Sequence, residues 1–143
     1  MKRGVRCALL FCLSLPLTLH AASGAWSQKS AGGVLSVGNQ KLSSSRLAAP
    51  PGTTAQARVT RISWQIALLT PPPPELEAHL CSPARCIKLH GLAGRLTPDV
   101  ALPSRGPFWF VYIVKRRGPL TPPLHVVSNT LTVNHAVSLA TDE

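Results

Sequence analysis

Apolar residues recur at every second position in several parts of the chain, which is the period of half-buried β-strands. The longest such run covers residues 57–69, with apolar side chains at Ile62, Trp64, Ile66 and Leu68. Val59 falls on the opposite face in this register, so we expect a bulge or bend near Thr60. This run therefore predicts a long strand with one irregularity near its start.

Residues 75–90 predict a β-hairpin whose register depends on two cysteines. If the loop 82–85 places Cys81 opposite Cys86, the apolar residues meet on one face and the polar ones on the other. The apolar pairs are then Leu80–Ile87 and Ala78–Leu89, and His79 faces Lys88. A slip by one residue would destroy both sets of pairs.

The remaining patterns predict further short strands. Residues 33–37 favour a strand, and residues 38–54, rich in Ser, Pro and Gly, favour a loop. Four prolines at 71–74 predict a rigid link, and residues 91–106 read as irregular. Residues 108–114 are apolar on both faces, as in a central strand. Basic residues 115–117 then form a turn, and 124–127 and 130–133 favour two short strands.

About seven short strands and no clear helix are typical of an antiparallel β-sandwich of immunoglobulin-like kind. The 14 prolines and 10 glycines argue against a helical bundle, and 45% hydrophobic residues argue against a disordered chain. We expect a single all-β domain over residues 22–135, followed by a flexible tail at 136–143.

The N-terminus has the layout of a secretory signal peptide. Lys2, Arg3 and Arg6 precede an uncharged apolar run at residues 7–19, and small residues follow. We expect residues 1–21 to be removed, with cleavage as late as residue 25 as the alternative. The run is short for a membrane span, so an uncleaved anchor is disfavoured. No second apolar run of spanning length follows it.

The chain carries 15 basic and 5 acidic residues, a formal net charge of +10. Such a balance is compatible with nucleic-acid binding, but export argues against it. Acidic proteins, anionic lipid headgroups and cell-envelope polymers are the better candidates.

Cys81 and Cys86 are the cysteines that remain after signal cleavage, and an isolated pair in an oxidising compartment favours a disulfide. A zinc site is the alternative, because His79 and His90 share a face with both cysteines in the predicted register. The spacing matches known zinc motifs poorly, so we predict no metal.

Catalytic motifs are missing from the sequence. It contains no Gly-x-Ser-x-Gly, no Gly-rich phosphate loop and no His-Glu-x-x-His. Its five acids form no evident glycosidase dyad. We therefore predict no catalytic residue, no cofactor and no enzymatic activity.

Five residues are candidates for contacts with a partner. Trp109 lies on the face of its strand opposite Phe108 and Phe110, which makes it either exposed or part of the core. Trp26 precedes the strong strands and is either a contact or a terminal anchor packed on the sandwich. The basic turn of Lys115, Arg116 and Arg117 either meets acidic partners or lipid, or is simply solvated.

The chain resembles the FlhE family of flagellar proteins from about Trp26 to Asn134. The most specific residues are the hairpin Leu80-Cys81-Ser82 with Arg85-Cys86, the strand around Trp64, and a C-terminal series. That series consists of Leu124, Val126, Ser128-Asn129 and Val133-Asn134. The chain departs from the family pattern at 71–74, at the basic turn 115–117, and at 136–143.

The resemblance implies a non-enzymatic periplasmic accessory of the flagellar type III export system. Family members are associated with control of the export gate, including proton leakage, and with guarding exported subunits. The implied partners are rod-type subunits or membrane proteins of the export gate. A carbohydrate- or peptidoglycan-binding sandwich module is the alternative, and it requires an exposed aromatic platform.

Overall fold

Two four-stranded antiparallel sheets pack face to face in the computed structural model, which describes residues 23–137. In that range the chain forms eight strands. They are β1 (Ser23–Val37), β2 (Lys41–Ser43), β3 (Arg58–Leu68), β4 (Leu76–Cys81), β5 (Cys86–Leu89), β6 (Ala93–Leu96), β7 (Trp109–Val114) and β8 (Pro119–Ala136). The all-β antiparallel fold that the sequence predicts is confirmed, and the architecture is compatible with an immunoglobulin-like sandwich.

One sheet is organised around the long strand β8, and the other around the apolar strand β7. The first, the β8 sheet, has the order β1-β8-β3-β6, and the second, the β7 sheet, has the order β2-β7-β4-β5. The core lies between them and contains side chains from both. Its completely buried members include Ile62, Phe110, Tyr112, Val114, Leu131 and Val133.

The two detailed register predictions are correct. The pairing of β3 with β8 shifts between Val59 and Arg61, which places a bulge at the predicted position. In the β4–β5 hairpin, Cys81 pairs with Cys86 and Leu80 with Ile87, and the remaining predicted pairs follow. Burying one face fixes the register, because a slip would expose the apolar side chains.

Two strands are longer than the sequence predicts. β1 begins at Ser23, ten residues before the predicted start at Gly33, and pairs with β8 along nearly its whole length. Its small polar residues suffice, because an edge strand is held by backbone hydrogen bonds to its neighbour. β8 is one continuous strand instead of the two short strands that the sequence predicts. The polar pair at 128–129 does not interrupt it, because Asn129 is buried and hydrogen-bonded.

Two short strands lie in stretches that the sequence assigns to loops. β2 occupies Lys41–Ser43 and β6 occupies Ala93–Leu96, each at a sheet edge. Leu42 and Leu96 are partly buried against the core. Strands of three and four residues provide too few alternating positions for the pattern to be recognised.

The predicted signal peptide lies outside the described residues except for the late cleavage alternative near residue 25. The predicted tail begins at Ala136, which is the last residue of β8, and its part beyond residue 137 also lies outside them. Within residues 23–137 we find no helix that could cross a membrane.

Candidate functional site

The outer face of the β7 sheet contains an open cavity of about 520 Å³, which we call the β7 trough. Its floor is formed by Trp109, Val111 and Ile113, which alternate with the core residues of β7. Ile113 is 8% exposed, and the other two are half-buried. The prediction that this strand is apolar on both faces is therefore correct, and one apolar face borders solvent.

Polar residues of the neighbouring strands line both sides of the floor. The antiparallel registers place them in two cross-strand rows, Lys41–Ile113–Glu77 and Ser43–Val111–His79. At the other end, Trp109 pairs with Cys81. The trough is thus an apolar stripe along the central strand with hydrogen-bonding groups on either side.

Arg46 lies over the indole of Trp109, with its guanidinium carbon 4.7 Å from the ring centroid. Such a cation–π contact is worth roughly 0.5–1 kcal/mol at an exposed site. Trp109 is therefore neither an open aromatic platform nor a core residue. It is a half-buried side chain beneath a positive charge.

Positive charge predominates around the β7 trough. Four basic side chains surround it, namely Lys41, Arg46, Lys88 and Lys115. Glu77 is the one carboxylate among the lining residues in the described chain, and Lys88 Nζ lies 3.7 Å from its Oε1. Since this ion pair is partly exposed, its attraction is weak, and the face as a whole favours anionic groups.

The disulfide closes one end of the trough. Cys81 and Cys86 are bonded to each other with Cα atoms 3.9 Å apart, and Cys81 is buried. Bonded sulfurs are not available as thiolate ligands, which removes the zinc alternative. In residues 23–137 we find no cluster of three or more His, Cys, Asp or Glu side chains suited to a metal.

The three residues of the basic turn are exposed but differ in their surroundings. Arg116 Nη2 donates to Glu75 Oε2 at 3.1 Å, and this hydrogen bond lowers the pKa of the Glu75 carboxyl below its usual value. Lys115 borders the β7 trough, whereas Arg117 precedes the turn residue Gly118. The turn therefore does not act as one patch, and Lys115 is its contribution to the trough.

Trp26 is a core residue. It is 5% exposed, its Nε1 donates to the carbonyl oxygen of Ser104 at 2.8 Å, and its ring lies 6.1 Å from that of Phe108. The alternative of a packed terminal anchor describes it correctly. As a surface contact candidate it has to be corrected, because its ring is buried in the core against Phe108.

Sequence reasoning missed Lys41 and Arg46 as members of this face. Both lie in the stretch 38–54 that reads as a loop, and β2 is too short to show alternation. The outward positions of Val111 and Ile113 do follow from the predicted strand 108–114. The pairing of β2 with β7 brings Lys41 next to them, and the isolated bridge between Leu47 and Phe108 brings Arg46 to the Trp109 end.

A second feature of the surface is a long open edge. β1 pairs with β8 on one side and has no partner strand on its other side within the described residues. It spans 15 residues, whereas the edge strands β2, β5 and β6 span three or four. A long edge without proline presents backbone donors and acceptors to a further strand.

Comparisons with known proteins agree with one another. The family model described as flagellar protein FlhE matches residues 32–136. The FlhE protein of Escherichia coli (strain K12) is 33% identical over 128 residues, covering 89% of this chain and 97% of its own length. FlhE of Yersinia enterocolitica is 30% identical over 136 residues, covering 94% and 96%.

A solved structure supports the same assignment. A crystal structure of FlhE superposes with a TM-score of 0.72 at 34% sequence identity, covering 79% of this chain and 96% of the crystallised one. Fold, family model and near full-length sequence similarity thus converge. The chain belongs to the FlhE family of flagellar proteins.

Proposed function

We propose that this protein is an exported, periplasmic and non-enzymatic accessory of the flagellar type III export system. In this role it acts as a chaperone of exported flagellar subunits, as a regulator and proton seal of the export gate, or as both. The observation that carries the proposal is the match to FlhE proteins along nearly their whole length. It supports a role in the flagellum for the entire domain rather than for one segment.

Two features support export to the periplasm. The first is the signal-peptide pattern of residues 1–21, and the second is the disulfide, which persists in oxidising compartments. The bond lies at the tip of a hairpin, where it restrains the register of β4 against β5. Both features fit a small domain that folds after crossing the inner membrane.

The carboxylates of the described residues support a non-enzymatic role. Glu75 accepts from Arg116 and Glu77 lies next to Lys88, so both are engaged with basic groups. Asp99 lies in the loop after β6 and borders a separate cavity whose lining contains neither glutamate. An acid–base pair of the kind that glycosidases use does not form among them.

A chaperone role needs a surface that accepts a partner segment before it assembles. The open β1 edge meets this need, because a segment of a subunit can pair with it as an additional strand. The expected partners are rod-type subunits for the chaperone role and export-gate membrane proteins for the gate role. Neither role requires a cofactor.

Affinity capture with in vivo crosslinking tests the proposal. The tagged mature protein is recovered from periplasm, and crosslinked partners are identified in parallel with a tagged, unrelated periplasmic protein. We expect enrichment of flagellar proteins, with rod subunits indicating the chaperone role and gate proteins the seal. Normal motility and proton retention in a deletion strain, together with no flagellar protein captured, would contradict it.

The carbohydrate-binding alternative finds little support on the surface. Sugar rings stack on free aromatic faces, but the guanidinium of Arg46 occupies a face of the most exposed tryptophan, Trp109. Trp26 and Trp64 are buried. Titration with muropeptides is therefore expected to leave the tryptophan fluorescence unchanged.

A further inference from the structure

We propose that the β7 trough is the docking site for an acidic protein segment that also carries apolar side chains. The inference rests on the proposed function only in taking a flagellar protein as the natural partner. The chemistry of the occupant is argued from the trough itself.

The floor of the trough determines how many apolar side chains of the partner segment can be accommodated. Trp109, Val111 and Ile113 are spaced by two residues along β7, so the stripe is about 13 Å long, at roughly 3.3 Å per residue. That length accommodates two or three apolar side chains of a partner. Covering the floor would remove apolar surface from water, which favours binding.

The basic residues that border the trough determine which charge the partner segment must carry. Lys41 pairs with Ile113 and Lys115 follows β7 directly, so two lysines border the Ile113 end. Arg46 is at the Trp109 end. Since Glu77 is adjacent to Lys88, the remaining cations are complementary to carboxylates that flank the apolar residues of the partner.

Arg46 and Trp109 together form the anchor of this site. A guanidinium positioned over an indole ring keeps N–H donors free for a second partner. The same residue therefore contributes to the apolar contact through Trp109 and binds a carboxylate bidentately. Arg and Trp are also the residue types that dominate binding energy in protein interfaces.

A lipid surface fits the trough less well than a protein segment. Membrane-binding faces insert protruding apolar side chains, whereas this floor lies between flanking polar residues and is half-buried or buried. The large apolar side chains that are exposed in residues 23–137 lie elsewhere, in β1, in β8 and just after β3. They are Val34, Val37, Leu69 and Val127.

Peptide titration of the full mature protein is the first test. The probe is a synthetic peptide in which glutamate alternates with leucine, and the controls replace glutamate by lysine or leucine by serine. Tryptophan fluorescence reports the binding, because Trp26 and Trp64 are buried and Trp109 is half-buried at the trough. We expect a response to the Glu–Leu peptide alone.

Charge reversal locates the site. The double variant Lys41→Glu/Lys115→Glu should weaken binding of the Glu–Leu peptide by about tenfold or more. The matched control is Lys29→Glu/Arg61→Glu, which reverses two exposed basic residues on the opposite sheet. Because all four side chains are exposed, the variants should fold, and urea unfolding verifies it. Equal affinity of both variants would overturn the proposal.

In-cell crosslinking tests the natural partner with a matched pair of exposed polar positions. A photoreactive amino acid replaces Ser43 beside the trough or Gln65 on β3 of the β8 sheet, away from the open β1 edge. Flagellar proteins crosslinked from position 43 and not from position 65 support the inference. Crosslinks to them from position 65 alone overturn it but leave the proposed function intact.

The two proposals can fail separately. If the Glu–Leu peptide binds at the trough but affinity capture recovers no flagellar protein and the deletion strain keeps normal motility and proton retention, the docking site stands and the proposed function falls. If phosphatidylglycerol vesicles bind through Lys41 and Lys115 and the peptide does not, the trough is a lipid-headgroup site and the inference is wrong.

Discussion

The hydroxyl of Tyr112 donates a hydrogen bond to Oδ1 of Asn129 across the interior of the sandwich. Both side chains are fully buried, and they belong to β7 and β8, the strands around which the two sheets are built. Asn129 Nδ2 in turn lies 3.1 Å from Ser30 Oγ and 3.3 Å from the carbonyl oxygen of Ala31, both in β1. One polar network therefore joins three strands and both sheets.

Replacing Asn129 by Ala should destabilise the fold by about 1–3 kcal/mol, because it leaves the Tyr112 hydroxyl buried without a partner. Urea unfolding measures the change. In Tyr112→Phe/Asn129→Ala neither member of this hydrogen bond remains, so the double variant should lose less stability than Tyr112→Phe and Asn129→Ala added together. Strict additivity would show that the hydrogen bond contributes nothing.

Alkaline pH should weaken the fold through Tyr112. Burial raises the pKa of its hydroxyl above the ordinary value of about 10. The unfolded chain therefore releases this proton at lower pH than the folded chain does, and stability is lost as pH rises above about 10. The free energy of unfolding, measured below and above that pH, should decrease more for the wild type than for Tyr112→Phe.

This comparison is clean because the chain contains one tyrosine. All other ionisable groups are the same in the wild type and in the Phe variant, so their contributions cancel in the comparison. Parallel pH profiles for the two proteins would contradict the prediction.

Removing the disulfide should reduce stability without changing the fold. The cysteines are five residues apart, and closing so short a loop contributes roughly 2 kcal/mol. The register of the hairpin is also set by Leu80 and Leu89, which stay buried in Cys81→Ala/Cys86→Ala. We expect a lower melting temperature and an unchanged far-UV spectrum. Dithiothreitol serves as the control, because it should lower the melting temperature of the wild type and not that of the variant.

The two tryptophans that are candidate contacts should respond differently to truncation. Trp26→Ala removes a buried ring and its hydrogen bond to Ser104, at a cost of about 3–5 kcal/mol. Trp109→Ala removes a half-buried ring on the outer face and should cost clearly less. Chemical denaturation of both variants gives the comparison. Equal losses would show that Trp109 supports the fold as much as Trp26 does.

The turn after β1 should not tolerate a side chain at position 38. A Cβ on Gly38 would fall 1.6 Å from the carbonyl oxygen of Arg116, a backbone atom. Gly33 is the matched control, because its added Cβ would meet the movable Leu42 side chain at 2.9 Å. We expect Gly38→Ala to cost about 1–3 kcal/mol and Gly33→Ala less, measured by thermal unfolding. The reverse order would contradict this reading.

The alternation of apolar and polar residues along the sequence was enough to predict the strands that bury one face or both. β3 with its bulge, the hairpin with its pairs, and β7 all follow from side-chain period. The first half of β1 could not be predicted in this way, because its residues are small and polar and its stability comes from β8. The continuity of β8 through Asn129 also depended on a partner in the other sheet.

The candidate site was predicted only in its central part. Trp109 and Lys115 could be named from the sequence, since an apolar strand followed by a basic turn marks both. Lys41 and Arg46 could not, because Lys41 reaches the trough through a three-residue strand and Arg46 through a single bridge at Leu47, neither of which leaves a pattern in the sequence. The sequence does not decide whether Trp26 is exposed or buried. Its contacts with Ser104 and Phe108 show that it is buried.

The position of β8 at the end of the described chain determines when the fold can be completed. β1 and β3 both pair with β8, whereas all four strands of the other sheet precede it. A polypeptide that emerges from a ribosome or a translocation pore amino end first can therefore assemble the β7 sheet early. The β8 sheet must wait until residues 119–136 have emerged. Until then β1 and β3 lack their common neighbour, so the inner face of the β7 sheet stays uncovered and the core between the two sheets cannot close.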